Sequence, residues 1–282
     1  MEKSMLLAKL RVTSISLALW AVSALVLVVC TRMFWFQDFL FMSDGGFGGL
    51  SLVIPIDLVL GPGLMFVIYN PLKPARTKMV DIAIVIAVQL SAAGYGLFQV
   101  YEQHPVLISY SGGAFASVRG EMLERQNASA LVFSQLSNHE PPLLFAKEPP
   151  KSYMPRMMDL TMNKGVGPSA QVELLDGLAA HKKELFNDDP ILRDYLKQHL
   201  PAQFQQLEHD FAPDSKLAWF DGRYSGSMLV FDSNASYLGY ITMPTDLSNP
   251  ETLVKPAASK SSPANAAASA AANSAASAPA RS

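Results

Sequence analysis

One cysteine, Cys30, is all that the 282 residues contain, and it lies within an apolar run. The rest of the chain therefore has no internal disulfide and no Cys-based metal site, and must be held by its own core whatever its redox compartment. Charge is scarce too. Asp, Glu, Lys and Arg make up 16% of the residues and the net charge is -2, too little for the basic footprint of a nucleic-acid-binding protein. Between Trp35 and Gly46 there is no Lys or Arg, only Asp38 and Asp44. Catalytic patterns are missing as well. His104, His139, His181, His199 and His209 have no H-E-x-x-H or comparable metal spacing, and there is no Gly-x-Ser-x-Gly elbow or Gly-x-x-x-x-Gly-Lys phosphate loop. His181-Lys182-Lys183-Glu184 reads as a solvated helix face, and Asp188-Asp189 as a helix cap rather than an acid-base pair. Asn127-Ala128-Ser129 and Asn234-Ala235-Ser236 match the glycosylation pattern, the second being better explained as a turn. The expectation is a non-enzyme without cofactor or metal.

Apolar length is abundant at one end. Val12 to Thr31, Phe47 to Tyr69 and Ile82 to Val100 are nearly free of charge. Each approaches the ~20 residues that a helix rising ~1.5 Å per residue needs to cross a ~30 Å hydrocarbon core. The expected layout is a cytoplasmic N-terminus at 1–11 and a three-helix transmembrane domain at 12–101, with spans at about 12–33, 47–69 and 80–101. Lys3, Lys9 and Arg11 precede the first span, and Lys73, Arg76 and Lys78 lie between the second and third. The positive-inside rule puts these segments in the cytoplasm and exports everything after about Tyr101. Arg32, at the outer end of span one, is accommodated by snorkelling. A cleaved signal peptide is disfavoured, because the run exceeds the ~7–15 residues of an h-region and Arg32-Met33-Phe34-Trp35 offers no small-x-small cleavage site. Val29 before Cys30 is too large for lipoprotein processing.

From 102 to 250 the pattern predicts one exported α+β domain with antiparallel strands, large enough for a core without staples. Val106 to Tyr110, a Gly112-Gly113 turn and Phe115 to Val118 form a hairpin; Leu131 to Phe133 and Leu143 to Ala146 are short strands. Pro149-Pro150 and Pro155 mark a loop. Helical spacing from Ser169 to Leu200 predicts two helices divided near Asp188-Asp189-Pro190, with Pro190 in the first turn of the second and Asp188 or Asp189 as its N-cap. Leu217 to Phe220, Ser227 to Phe231 and Tyr237 to Ile241 close the domain as a meander. The Ala/Ser-rich stretch 251–282 has no apolar stripe and reads as a disordered tail.

Asp57 is the residue a plain anchor would not need. At mid-span an ionised carboxylate costs roughly 2.5–3.5 kcal/mol on insertion scales. Gln89 at similar depth in span three is a candidate hydrogen-bond partner, Arg32 a second, and a proton on Asp57 itself a third solution. Downstream, Gly61-Pro62-Gly63 should kink span two, with Pro55 one turn earlier. Ala83, Ala87 and Ser91, with Ala92 and Gly96, give span three a surface that a helix of this chain or a foreign one can approach closely.

The succession Ile56-Asp57-Leu58-Val59-Leu60-Gly61-Pro62, then Tyr69-Asn70-Pro71, Asp81, Gln89, Tyr95-Gly96 and Val100-Tyr101 through Pro105-Val106, resembles the type IV pilin accessory proteins of the TfpX/TfpZ kind. Leu229-Val230-Phe231-Asp232 through Leu238-Gly239-Tyr240-Ile241 resembles that family's terminal hairpin, while 120–217 carries little resemblance. The resemblance implies a multi-pass protein of the bacterial inner membrane with a periplasmic domain. Its partner would be a type IV pilin subunit, the major pilin, whose stability or assembly it supports, alongside other inner-membrane pilus assembly components. The candidate functional or packing residues are then Asp57, Gly61, Pro62, Gln89, Arg32, Asn70, Pro71 and Asp81. Two other readings are a membrane-anchored ligand-binding sensor, for which the cytoplasmic side leaves little room for an output domain, and a small ion-coupled transporter component dependent on Asp57.

Overall fold

The computed structural model describes residues 2–70 and 72–244. Pro71 and the expected tail at 251–282 lie outside the described residues. The chain divides into two compact units, one made of Met1–Gln37 with Gly45–His104, the other of Asp38–Asp44 with the chain from Pro105 onward.

The first unit is helical. α1 (Glu2–Cys30) runs into a wide turn at Thr31–Trp35, where the Phe36 amide donates to Thr31 O five residues back at 2.9 Å. α2 (Gly46–Leu58) contains Pro55 and passes through a second such turn, Val59–Gly63, into α3 (Leu64–Ile68). Pro62 has no N–H to give the helical ladder, and widening the turn lets the chain continue around it. α4 (Ala75–Glu102) is uninterrupted. Lys9–Trp35, Gly46–Ile68 and Ala75–Glu102 are long and apolar enough to cross a membrane.

In the second unit, β1 (Pro105–Ser111) and β2 (Ala114–Arg119) form the expected hairpin. β3 (Leu143–Ala146) and β4 (Leu175–Gly177) extend the sheet on one side. β5 (Lys216–Asp221), β6 (Gly226–Phe231) and β7 (Tyr237–Thr242) extend it on the other. The order is β4-β3-β1-β2-β5-β6-β7. The expectation of antiparallel strands is corrected here: β3 runs parallel to β1 and β5 parallel to β2, so the sheet is mixed. The chain leaves β2 and enters β3 at the same end of the sheet but on the far side of β1, so β3 runs with β1; between β4 and β5 it crosses to the opposite end, so β5 runs with β2.

Alternation sorts the side chains. Leu217, Trp219, Met228, Val230 and Ile241 pack on Leu192 and Leu196 of α6 (Asp189–His199) and Leu207 of α7 (Pro201–Asp210). Leu107, Val118 and Leu144 join Leu160 of α5 (Met154–Lys164), together with Leu123 and Phe133. The intervening positions carry aromatic rings: Tyr110 meets Phe115 and Phe145, and Phe115 stacks on Phe231.

Three further expectations fail for local reasons. Leu131 to Phe133 belongs to a tight 3-10 segment, Ala130–Leu136, opened by Ser129 Oγ accepting from the Leu131 amide; only Phe133 turns inward, leaving Leu131 and Val132 exposed. Pro155 opens α5 rather than a loop, a place where its missing N–H costs nothing. The first expected helix after Ser169 is a series of single turns around β4. Its apolar residues Leu174, Leu175 and Leu178 are buried beside β3 instead of forming a helix stripe.

Candidate functional site

The sequence candidates in the helical unit fall into two groups. Asp57 on α2 is hydrogen-bonded by the Gln89 side chain from α4. Asp57 and Gly61 share a helix face, and a Cβ on Gly61 would sit 2.5 Å from Gln89 Nε2. Glycine at 61 therefore makes the room in which Gln89 reaches Asp57, and the turn that Pro62 forces places Gly61 there. Gly61 and Pro62 are both buried. Oδ1 of Asp57 is shielded and has no hydrogen-bond partner among the described residues. The second group pins the α3–α4 connection: Lys73 Nζ pairs with Asp81 Oδ2 at 2.5 Å, and Asn70 Oδ1 accepts from the Leu72 amide at 3.0 Å. Arg32 stands exposed in the wide turn that ends the first apolar helix.

The small residues of α4 separate into two roles. Gly96 is taken up within the unit, since a Cβ there would meet Val53 at 2.9 Å. Ala83, Ala87 and Ser91 recur every four residues and are exposed, and a Cβ on exposed Gly94 would meet nothing within 4 Å. The result is an outward face on which a helix backbone can lie close.

The second unit holds a site that the sequence reading missed. Asp38–Asp44, read as a plain loop between spans, is built into the sheet fold as a strap. Phe39 and Leu40 are 1% and 0% exposed and Asp44 is 1% exposed, so this is core rather than surface. Phe39 packs edge-on to Phe220 with centroids 4.7 Å apart, and lies against Tyr237 and Tyr240. Ser43 O accepts from the amides of Tyr224 at 2.9 Å and Ser225 at 3.4 Å. Gly222 is required beneath it, because a Cβ would lie 2.4 Å from Ser43 O. Asp44 Oδ1 faces Arg223 Nε at 3.4 Å, and burial pushes its carboxyl above the ordinary range despite that cation. At the other end Asp38 approaches His139 Nε2 at 3.6 Å. The signal was available: Phe39-Leu40-Phe41-Met42 is too apolar for a solvated loop.

Asp188 and Asp189 divide differently from the expectation of a cap. Asp188 occupies the N-cap position without a capping bond, its Oδ1 accepting instead from Asn187 Nδ2 at 3.0 Å. Asp189, 4% exposed, accepts from the Leu217 amide at 2.9 Å, Arg193 Nε at 3.2 Å and Lys216 Nζ at 3.2 Å, tying α6 to the start of β5.

Comparison with known proteins bears on the function. Three fimbrial assembly proteins of Dichelobacter nodosus share sequence with parts of this chain. That of serogroup E1 is 30% identical over 110 residues, 39% of this chain and 43% of the relative. Those of serogroup I and of serogroups C1 and C2 are each 35% identical over 66 residues, 23% of this chain and 26% and 50% of the relatives. This chain is similar to fimbrial assembly proteins. It spans between about a quarter and half of the length of the curated relatives it matches. No family model and no solved structure matches it.

Proposed function

We propose that this protein is an inner-membrane accessory of type IV pilus assembly that binds the single apolar helix of a pilin subunit on the outward face of α4 and supports that subunit's stability or entry into the fibre. The similarity to fimbrial assembly proteins carries the reading. The exposed Ala83-Ala87-Ser91-Gly94 face supplies a physical means, because helices in lipid associate through close backbone approach at small residues. The two-unit fold supports three crossings. Residues 38–44, between the first and second apolar helices, share one fold with residues after the third. Three crossings put those two segments on the same side of the bilayer. The basic residues Lys73, Arg76 and Lys78 make the opposite side cytoplasmic and the sheet domain periplasmic. Asp57 and Gln89 act here as a polar clasp holding α2 on α4.

Photocrosslinking amino acids placed singly at Ala83, Ala87 and Ser91 in full-length protein test this. They should capture the cognate pilin, while one at buried Val85 should not; no capture from any outward position would sink the reading. In parallel, deleting the gene should lower the cognate pilin or its surface fibres and spare an unrelated pilin. Unchanged pilin and unchanged fibres would count equally against it.

A further inference from the structure

We propose that the strap Asp38–Asp44 is a latch through which a change in the spacing of the first two apolar helices is transmitted to the sheet domain. The links at its ends are short. Only residues 36–45 separate Trp35, where the first apolar helix ends, from Gly46, where α2 begins. Phe36 and Gln37 alone lead into the strap and Gly45 alone leads out of it, and the helical turn Leu40–Ser43 shortens the reach between them. Its ends turn sharply, at Asp38 with φ 48° and at Gly45 with φ 117°, conformations that fix the direction of chain entry and exit.

Seven consecutive residues are thus gripped by the sheet domain while both ends continue directly into apolar helices. A tilt or separation of those helices has no flexible linker in which to dissipate, so it loads the contacts that hold the strap. The polar contacts among these are the Tyr224 and Ser225 amides on the O of buried Ser43, and the Asp38–His139 pair, half exposed on the Asp38 side. Their release would uncover Phe220, Tyr237 and Tyr240, the rings that Phe39 covers. For its natural stimulus the latch rests on the proposed function: a pilin helix lodging against the bundle is the event it would report.

Bilayer thickness supplies a stimulus independent of pilin, because hydrophobic mismatch changes helix tilt. The full-length protein is placed in phosphatidylcholine vesicles with 14-carbon and with 20-carbon chains, and amide hydrogen exchange is followed at Tyr224 and Ser225. The latch gives an exchange rate about tenfold different between the two bilayers. A variant with four Gly/Ser residues inserted on each side of the strap should show no difference. Equal exchange in the wild type, or the same shift in the slackened variant, overturns the latch. If core amides of β1 and β2 show that the insertions unfold the domain, Ser43→Cys with Tyr224→Cys in a Cys30→Ser background replaces them. The oxidised pair must then abolish the shift and reductant restore it, and a shift that persists when the pair is locked is again fatal. Failure of the pilin-binding reading shows separately, as absent photocapture on α4, and leaves this measurement untouched.

Discussion

Gly226 faces the ring of Trp219, and a Cβ there would come within 2.0 Å of Trp219 Cζ2. Trp219 is packed among Leu217, Met228 and Ile241 and has little room to yield. Gly226→Ala should therefore cost about 1–3 kcal/mol by overpacking, read as a lower thermal midpoint of the full chain in detergent; an unchanged midpoint would show that the ring moves freely. Asp189 is the converse case, a buried carboxylate with three partners. Asp189→Ala leaves the buried Leu217 amide unpaired and should cost about 1–3 kcal/mol, the scale of an unsatisfied buried donor, because Lys216 and Arg193 remain partly exposed. Asp189→Asn, which keeps an acceptor for the amide, should cost clearly less in the same unfolding measurement, and equal losses would mean that charge alone matters. Individual residues also show where sequence reading stops. Asp57 and Gln89 were legible as a candidate pair because two polar groups at equal depth in apolar helices have few other solutions. The role of Gly61 was only half legible: its neighbour Pro62 announced a distorted turn, but nothing in the sequence states that a side chain at 61 would occupy the place of Gln89.

The elements best read from the sequence are those with a local cause. The three apolar helices follow from length and composition, and the β1–β2 and β5–β6–β7 runs from alternation broken by turn residues. What stayed hidden depended on distant partners. Leu175 looks helical by spacing and is a strand residue because Ala146 lies opposite it, and Leu131 looks like a strand residue beside a buried phenylalanine. The strap belongs to this class, since its partners lie about 180 residues further along the chain. Its docking should depend on pH in a definite sense. Asp44 has its carboxyl raised above the ordinary 3.8, chiefly by burial, with Arg223, the Ser117 hydroxyl and Arg119 opposing. A folded state that holds this proton more tightly than the unfolded one is favoured below pH 3.8 and loses that contribution as pH rises through the raised value. Proteolytic cleavage within 38–44 should accordingly increase with pH over this window. The comparison with Asp44→Asn isolates the buried group. That variant should flatten the dependence, and a profile identical to wild type would show that Asp44 does not cause it.

A domain assembled from residues 38–44 and 105 onward is discontinuous, and that shapes how the whole chain is made. The strap is synthesised first, two apolar helices before the sheet that receives it. Folding of the sheet domain therefore has to wait until the chain from Pro105 onward has been made. Such long-range closure carries a chain-entropy cost that is recovered only when Phe39, Leu40 and Ser43 are buried. The sheet domain should consequently be incomplete by itself. Exported without the helices, the 105–250 segment would present Phe220, Tyr237 and Tyr240 without the ring of Phe39 over them. Its stability should fall below that of the same segment with residues 38–44 grafted ahead of Pro105 through a flexible linker. The difference should be about 3–5 kcal/mol, the scale of truncating a buried Phe. Phe39→Ala within the graft should remove most of the gain if the aromatic anchor, rather than the backbone bonds from Tyr224 and Ser225, provides it. The measurement is urea unfolding of the three exported fragments followed by Trp219 fluorescence. Identical midpoints with and without the graft would show that the sheet closes its core unaided and that residues 38–44 merely lie upon it.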